Sequence, residues 1–248
     1  LRLPLCDERA RLQFAEALSE ASNGWLTLGH GFPAESGSPA PWLAAMPYWR
    51  EGRRMIGRTT VVEQDLLPQA GGSLMGPLPL NEAGELQSVA VGNYANDHHY
   101  PGEDWPLAPK SIAWGGRWTG TPFCIPYGAL ISGAVTNLLM ADKAISVSHM
   151  ANGATRLQPL ILNIGQAAGM AAAMAIQRAE LPADLPVQGL QEALISDPVA
   201  PAAVMPLWTW PVWHPNWREA QRRSCACPED LDAIQPWNGR KGPDPGSS

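Results

Sequence analysis

The stretch Pro159-Leu160-Ile161-Leu162-Asn163-Ile164-Gly165-Gln166-Ala167-Ala168-Gly169-Met170-Ala171-Ala172-Ala173 constrains this chain more than any other. Alanine-rich and led by proline, it predicts a helix from Pro159 to about Arg178, because proline preorganises the first turn and alanine propagates the rest. The N–H groups of a first turn have no intrahelical partners and face whatever lies before the helix, so an electron-rich group is the natural occupant. Each helical glycine costs about 1 kcal/mol relative to alanine. Gly165 and Gly169 therefore predict a close approach, either of another backbone or of a ligand.

The 248 residues, 45% of them hydrophobic, suffice for one large domain or two modest ones with a real core. A net charge of -6, with basic residues clustered only between Arg50 and Arg58, speaks against nucleic acid or acidic lipid as partner. Four cysteines, Cys6, Cys124, Cys225 and Cys227, are too few and too scattered for a disulfide framework, which points to a reducing compartment, the cytoplasm. Cys225-Ala226-Cys227 lacks a second pair at metal-ligand spacing, so no metal site is expected. The longest helical candidate contains Asn163 and Gln166, and no apolar run reads as a membrane span. The chain starts at Leu1, and residues 1–6 have none of the parts of a signal peptide, so either a removed leader or, in preference to it, a fragment of a longer protein is expected.

Along the chain, Asp7 to Ser22 reads as a helix stopped by Asn23-Gly24, and the prolines between Gly31 and Pro47 enforce a loop. Tyr48 to Gly57 reads as a short helix or the start of a strand. Leu86 to Val91 reads as a strand, Asn93 to Lys110 as a loop carrying Asp97, His98, His99, Glu103 and Asp104, and Phe123 to Tyr127 as a short apolar segment. Asn137 to Ile145 reads as a strand, which Ser146 to Gln158 connects to the long helix. Strand, loop and glycine-marked helix make a unit of an α/β sheet. Leu190 to Ile195 predicts one more short helix. From Pro198 on, nine prolines and five of the eleven tryptophans predict an extended tail wrapped over the surface.

Gly29-His30-Gly31-Phe32-Pro33-Ala34 fits the spacing of a dinucleotide fingerprint, but Pro33, Pro39 and Pro41 forbid the helix that must open at its glycines. It reads as an ordinary loop. Several other segments carry a family likeness. Arg50-Glu51-Gly52-Arg53-Arg54-Met55-Ile56-Gly57, Gly92-Asn93-Tyr94-Ala95-Asn96-Asp97-His98-His99, Ile125-Pro126-Tyr127-Gly128-Ala129-Leu130 and Asn137-Leu138-Leu139-Met140-Ala141-Asp142-Lys143 follow in order. Ser148-His149, Ala154-Thr155-Arg156, Pro159 and Gly165-Gln166-Ala167-Ala168-Gly169 complete them. Together they resemble the C-terminal half of the FAD-dependent oxidoreductases, in the family with proteins labelled xanthan lyase-like and others similar to the flavoprotein subunit of heterodisulfide reductase. The likeness covers residues 40–195.

That resemblance implies an α/β fold, a partial glutathione-reductase-like FAD-binding fold with an interleaved substrate domain. The implied division is a substrate-domain-like segment over 1–130, the last strand and helix of the FAD-binding domain over 131–197, and a Pro/Trp-rich tail over 198–248. FAD is the implied cofactor, with Arg156, Pro159, Gly165, Gln166 and Ala167 at the flavin ring and hydride passing from a small-molecule substrate. Arg50, Arg53 and Arg54 are candidates to hold a substrate carboxylate. His98, His99 and His149 are candidates for the proton transfer that accompanies hydride loss. The glycine-rich dinucleotide-binding segment and the cysteines of the iron–sulfur relatives are not matched. The former is expected outside these residues, and a chain without it should hold FAD weakly or not at all by itself. Two other readings stand beside this one: a non-catalytic product of a split or decayed flavoprotein gene, and a sugar-binding or carbohydrate-processing protein using Trp208, Trp210, Trp213 and Trp217.

Overall fold

The computed structural model describes residues 52–68, 75–94, 121–207 and 210–231. The chain divides into two compact units, Leu1–Arg50 and Glu51–Ser248, and all described residues belong to the second. The helix expected from Asp7 to Ser22 and most of the loop expected from Asn93 to Lys110 lie outside them.

Two strands, β1 (Ser88–Asn93) and β2 (Pro122–Pro126), pair antiparallel, with Ala90 opposite Ile125 and Gly92 opposite Phe123. Four helices follow: α1 (His149–Thr155), α2 (Gln158–Arg178), α3 (Val187–Ser196) and α4 (Trp217–Ala226). This mix of helices and a small sheet is consistent with the α/β class. The segment expected as a strand from Asn137 to Ile145 is a correction, because it forms turns instead. The cause is local. The Asp142 carboxylate accepts the Lys143 N–H at 2.6 Å, the Ile145 N–H bonds the Asp142 carbonyl, and Met140 and Ser132 fold residues 130–140 back on themselves through Leu130 and Leu138. What pairs here is a different set of backbones. Met55, Arg58, Thr59 and Val61 donate to the carbonyls of Ala144, Ile131, Gly128 and Ser146, which seats residues 55–61 between two turns. Gly57 lies where a side chain cannot, since a Cβ there would stand 2.7 Å from the Ser146 Cβ and 2.9 Å from the Gly128 carbonyl oxygen.

Helix α2 fulfils the pattern from which it was read. Leu160, Ile164, Ala167, Ala168, Ala171 and Ala175 recur at helical spacing and are buried against β1 and α3. Its polar residues are spent on cross-links: Asn163 Oδ1 accepts the Val91 N–H of β1 at 3.0 Å, and the Gln166 amide donates to the Ala200 carbonyl. By length and composition alone α2 is apolar enough to cross a bilayer, which the reading of the sequence did not recognise. One face of it enters the core, while Leu162 and Ile176 are 74% and 81% exposed. Helix α1, absent from the expected connector 146–158, starts where the Ser148 hydroxyl accepts the Ala151 N–H.

The extended tail expected beyond Pro198 is a second correction for its described residues, 199–207 and 210–231. Val204, Met205 and Trp217 are buried, and α4 packs on α3. Buried amides fasten it: Gln221 takes the N–H groups of Val204 and Met205, and the Ser88 hydroxyl donates to the Val204 carbonyl at 2.6 Å. Gln191 of α3 donates to the carbonyls of Leu86 and Ser88, both at 2.9 Å. On the surface, Arg222 of α4 grips the Glu192 carboxylate of α3 at 2.8 and 2.9 Å and holds it below the usual carboxylate range. A pair so exposed contributes under about 1 kcal/mol. Among the described residues the tryptophans do not line up as a stacking platform: Trp217 is in the core, Trp210 stacks on His214 and Trp213 is exposed, while Trp208 lies outside them.

Candidate functional site

Two places in the second unit gather polar groups that the core does not use. The first is the junction of α1 and α2. Only Arg156 and Leu157 separate the helices, so the C-terminus of α1 adjoins the N-terminus of α2. The first helical bond of α2 runs from the Ile161 N–H to the Leu157 carbonyl, which leaves the N–H groups of Gln158 and Leu160 without helical partners, while Pro159 has none to place. Gln158 and Pro159 are exposed. Behind this end Arg156 is buried and engaged within the chain. Asn152 Oδ1 and Thr155 Oγ1 are buried without a hydrogen-bond partner. Orphaned polar atoms cost about 1–3 kcal/mol each, so a ligand or water is expected to satisfy them.

The second place is a cleft of about 320 Å³ formed by residues 52–56 on one side and Thr60, Ser146 and Val147 on the other. Arg53 and Arg54 both line it, as the clustering of basic residues suggested; Arg50 lies outside the described residues. Its polar floor is the pair Thr60 Oγ1 and Ser146 Oγ, 2.9 Å apart. The same wall continues through Ser148 into α1, so His149 starts the helix that leads from the cleft to the first place. His149 is exposed at the first position of α1 and is engaged within the chain. The seven residues of α1 advance about 10 Å.

Other candidates stand elsewhere. Gly165, Gln166 and Ala167 belong to the third turn of α2, where N–H groups close helical bonds, and the structure does not bring them to the open end of the helix. The close approach expected at the two glycines is not found among the described residues: a Cβ built on Gly165 would make ordinary contact with the Ala141 carbonyl oxygen at 3.5 Å, and one on Gly169 would meet nothing within 4 Å. Gln166 is tied to Ala200, and Ala167 is in the core. His98 and His99 lie outside the described residues. Burial pushes the thiols of Cys124 and Cys225 up to about 12, and the Tyr127 hydroxyl, which donates to the Pro182 carbonyl, also to about 12. These groups stay protonated near neutral pH and offer no nucleophile. Among the described residues no three His, Cys, Asp or Glu side chains gather as metal ligands would. Thr60, Ser146 and Asn152 were not picked out in the sequence, because isolated hydroxyl and amide residues carry no spacing signal, and Thr155 stood there only as part of the motif Ala154-Thr155-Arg156.

Comparison with known proteins shows the family of the chain. The family described as FAD dependent oxidoreductase matches residues 4–194. The chain belongs to that family. No curated protein and no solved structure matches it. An FAD dependent oxidoreductase has FAD as its cofactor; the α1–α2 junction is where unpaired polar groups gather among the described residues. It has open N–H donors at a helix N-terminus, a buried guanidinium, and two orphaned polar atoms within one short helix. The match ends at residue 194, within α3, so α4 and its buried amides lie beyond it.

Proposed function

We propose that this chain carries the ring end of the flavin site in a glutathione-reductase-like arrangement, and that an interleaved substrate segment presents a small organic molecule to it. Bound FAD supplies a two-electron acceptor for the hydride that this molecule loses. The open N–H groups of Gln158 and Leu160 stabilise negative charge at the pyrimidine edge of the ring, and Arg156 adds a fixed positive charge behind them. Loss of hydride from a C–OH or C–H carbon is accompanied by loss of a proton. We assign its acceptor to His149, the histidine at the head of α1 between the cleft and the ring end. Asn152 and Thr155 orient what binds at the junction through their otherwise orphaned atoms. The free thiols of Cys124, Cys225 and Cys227 accord with work in a reducing compartment, the cytoplasm.

The observation that carries this reading is the open N-terminus of α2 beside buried, unsatisfied polar atoms. It is tested by Gln158→Glu. A carboxylate at an exposed first-turn position favours the helix by about 0.3–1 kcal/mol, so the protein without flavin should be slightly more stable. The same charge opposes reduction of a ring held there. The midpoint potential of bound FAD should fall by about 10–30 mV, the two-electron equivalent of roughly 0.5–1.4 kcal/mol. Gln177→Glu, about 28 Å away along the same helix, should leave it unchanged. Equal potentials in all three proteins contradict the assignment.

A further inference from the structure

The cleft beneath Arg53 and Arg54 has a composition that selects its occupant. Two guanidinium-bearing side chains line it, and no acidic side chain does so among the described residues. Its floor is a hydroxyl pair in which one O–H is donated to the other oxygen, so the accepting hydroxyl still has its own proton to give. Ser146 is 1% exposed, and its N–H and carbonyl are already committed to Ala129 and Val61. Its side chain is thus held by a fixed backbone, and the close fit of Gly57 against its Cβ prevents retreat. Arg54 is half-buried and engaged within the chain, whereas Arg53 is exposed at the rim. Donors on the floor, cations above and no competing carboxylate describe a receptor for a negatively charged oxygen group. The volume of about 320 Å³ admits a small molecule.

We propose that this cleft is an oxyanion subsite, which anchors the carboxylate or phosphate group of a small organic substrate at a distance from the carbon that is oxidised. Its designation as a substrate site rests on the flavin reading above; its affinity for an oxyanion does not. Binding at such a remote group supplies energy for orienting the reacting carbon.

The test is calorimetric titration of the full chain, without FAD, using succinate, inorganic phosphate and the neutral isostere succinamide as probes. Succinate or phosphate should bind, and succinamide should not. Arg53→Gln should weaken the binding about tenfold or more, since a hydrogen bond to a charged group is lost, while Arg53→Lys retains part of it. Arg53 is exposed, so its replacement leaves the fold intact, as an unchanged melting temperature will confirm. Tighter succinate identifies an organic acid as the source of the group, and tighter phosphate identifies a phosphate ester. Binding of neither anion, equal binding of succinamide, or an affinity unchanged in Arg53→Gln would overturn the proposal. Because FAD is absent from the titration, failure of the flavin assignment would leave this outcome standing, and the converse also holds.

Discussion

Gln221→Ala is expected to cost the fold at least about 3 kcal/mol. The side chain is fully buried on α4, its Oε1 accepting the N–H groups of Val204 at 3.1 Å and Met205 at 2.9 Å while its Nε2 donates to the Met205 carbonyl at 2.7 Å. Alanine leaves two donors and one acceptor buried without partners, each costing about 1–3 kcal/mol, and water entering the vacated space recovers only part of that. Gln221→Glu separates this cause from simple loss of volume. A carboxylate still accepts both N–H groups but turns an oxygen toward the Met205 carbonyl, so this variant should also be destabilised, and more so as pH rises and the carboxylate ionises. Urea unfolding measures both, as a lower midpoint with an unchanged slope. A loss below about 1 kcal/mol for Gln221→Ala would mean that the segment beyond Pro198 is not fastened through this amide.

Phe123→Ala is expected to cost about 3–5 kcal/mol. Phe123 is among the largest fully buried side chains, and its ring occupies the space above Gly92 on the paired strand. A Cβ on Gly92 would come 2.2 Å from the Phe123 ring and 2.9 Å from Leu160 in the first turn of α2. The ring therefore joins the sheet to the first turn of α2, the end proposed to face the flavin. Removing it opens a cavity beneath that turn, and FAD affinity should fall along with stability. Gly92→Ala alone overpacks the same space and should cost about 1–3 kcal/mol. The double variant should be less destabilised than the sum of the two, because the new methyl enters the volume the ring leaves. Guanidinium unfolding of the four proteins gives the coupling, and simple additivity would contradict the shared-space account.

The elements that could be read from the sequence were those whose cause is local. Helix α2 announces itself through its leading proline, its alanines and a buried face at helical spacing, and α3 and β1 through short apolar runs, whereas β2 reads only as an apolar segment. Residues 137–145 look equally apolar, yet Asp142 turns them, because one side-chain bond to the next N–H outweighs a weak strand preference. Prolines and tryptophans beyond residue 198 suggested a surface tail, although its described residues are fastened by Gln221 and Ser88, whose bonds span from 16 to 116 residues of sequence. No periodicity records such bonds. The site divides in the same way. Arg53 and Arg54 stand out as charge in sequence, but Thr60 and Ser146 are 86 residues apart and become a pair only through the backbone bonds that seat residues 55–61. Pro159 marked the start of α2 correctly, whereas Gly165, Gln166 and Ala167 mark its packing in the third turn.

The central claim is that the N-terminus of α2 favours the electron-rich form of a flavin ring, and thermal unfolding of the full chain with oxidised and with dithionite-reduced FAD under anaerobic conditions tests it most directly. Even a weak ligand is visible, since FAD at ten times its dissociation constant adds about 1.4 kcal/mol, or roughly 3–6 °C for a chain of this size. The account predicts that both forms raise the melting temperature and that reduced FAD raises it further. A rise that is equal for the two forms, or larger with oxidised FAD, would contradict it.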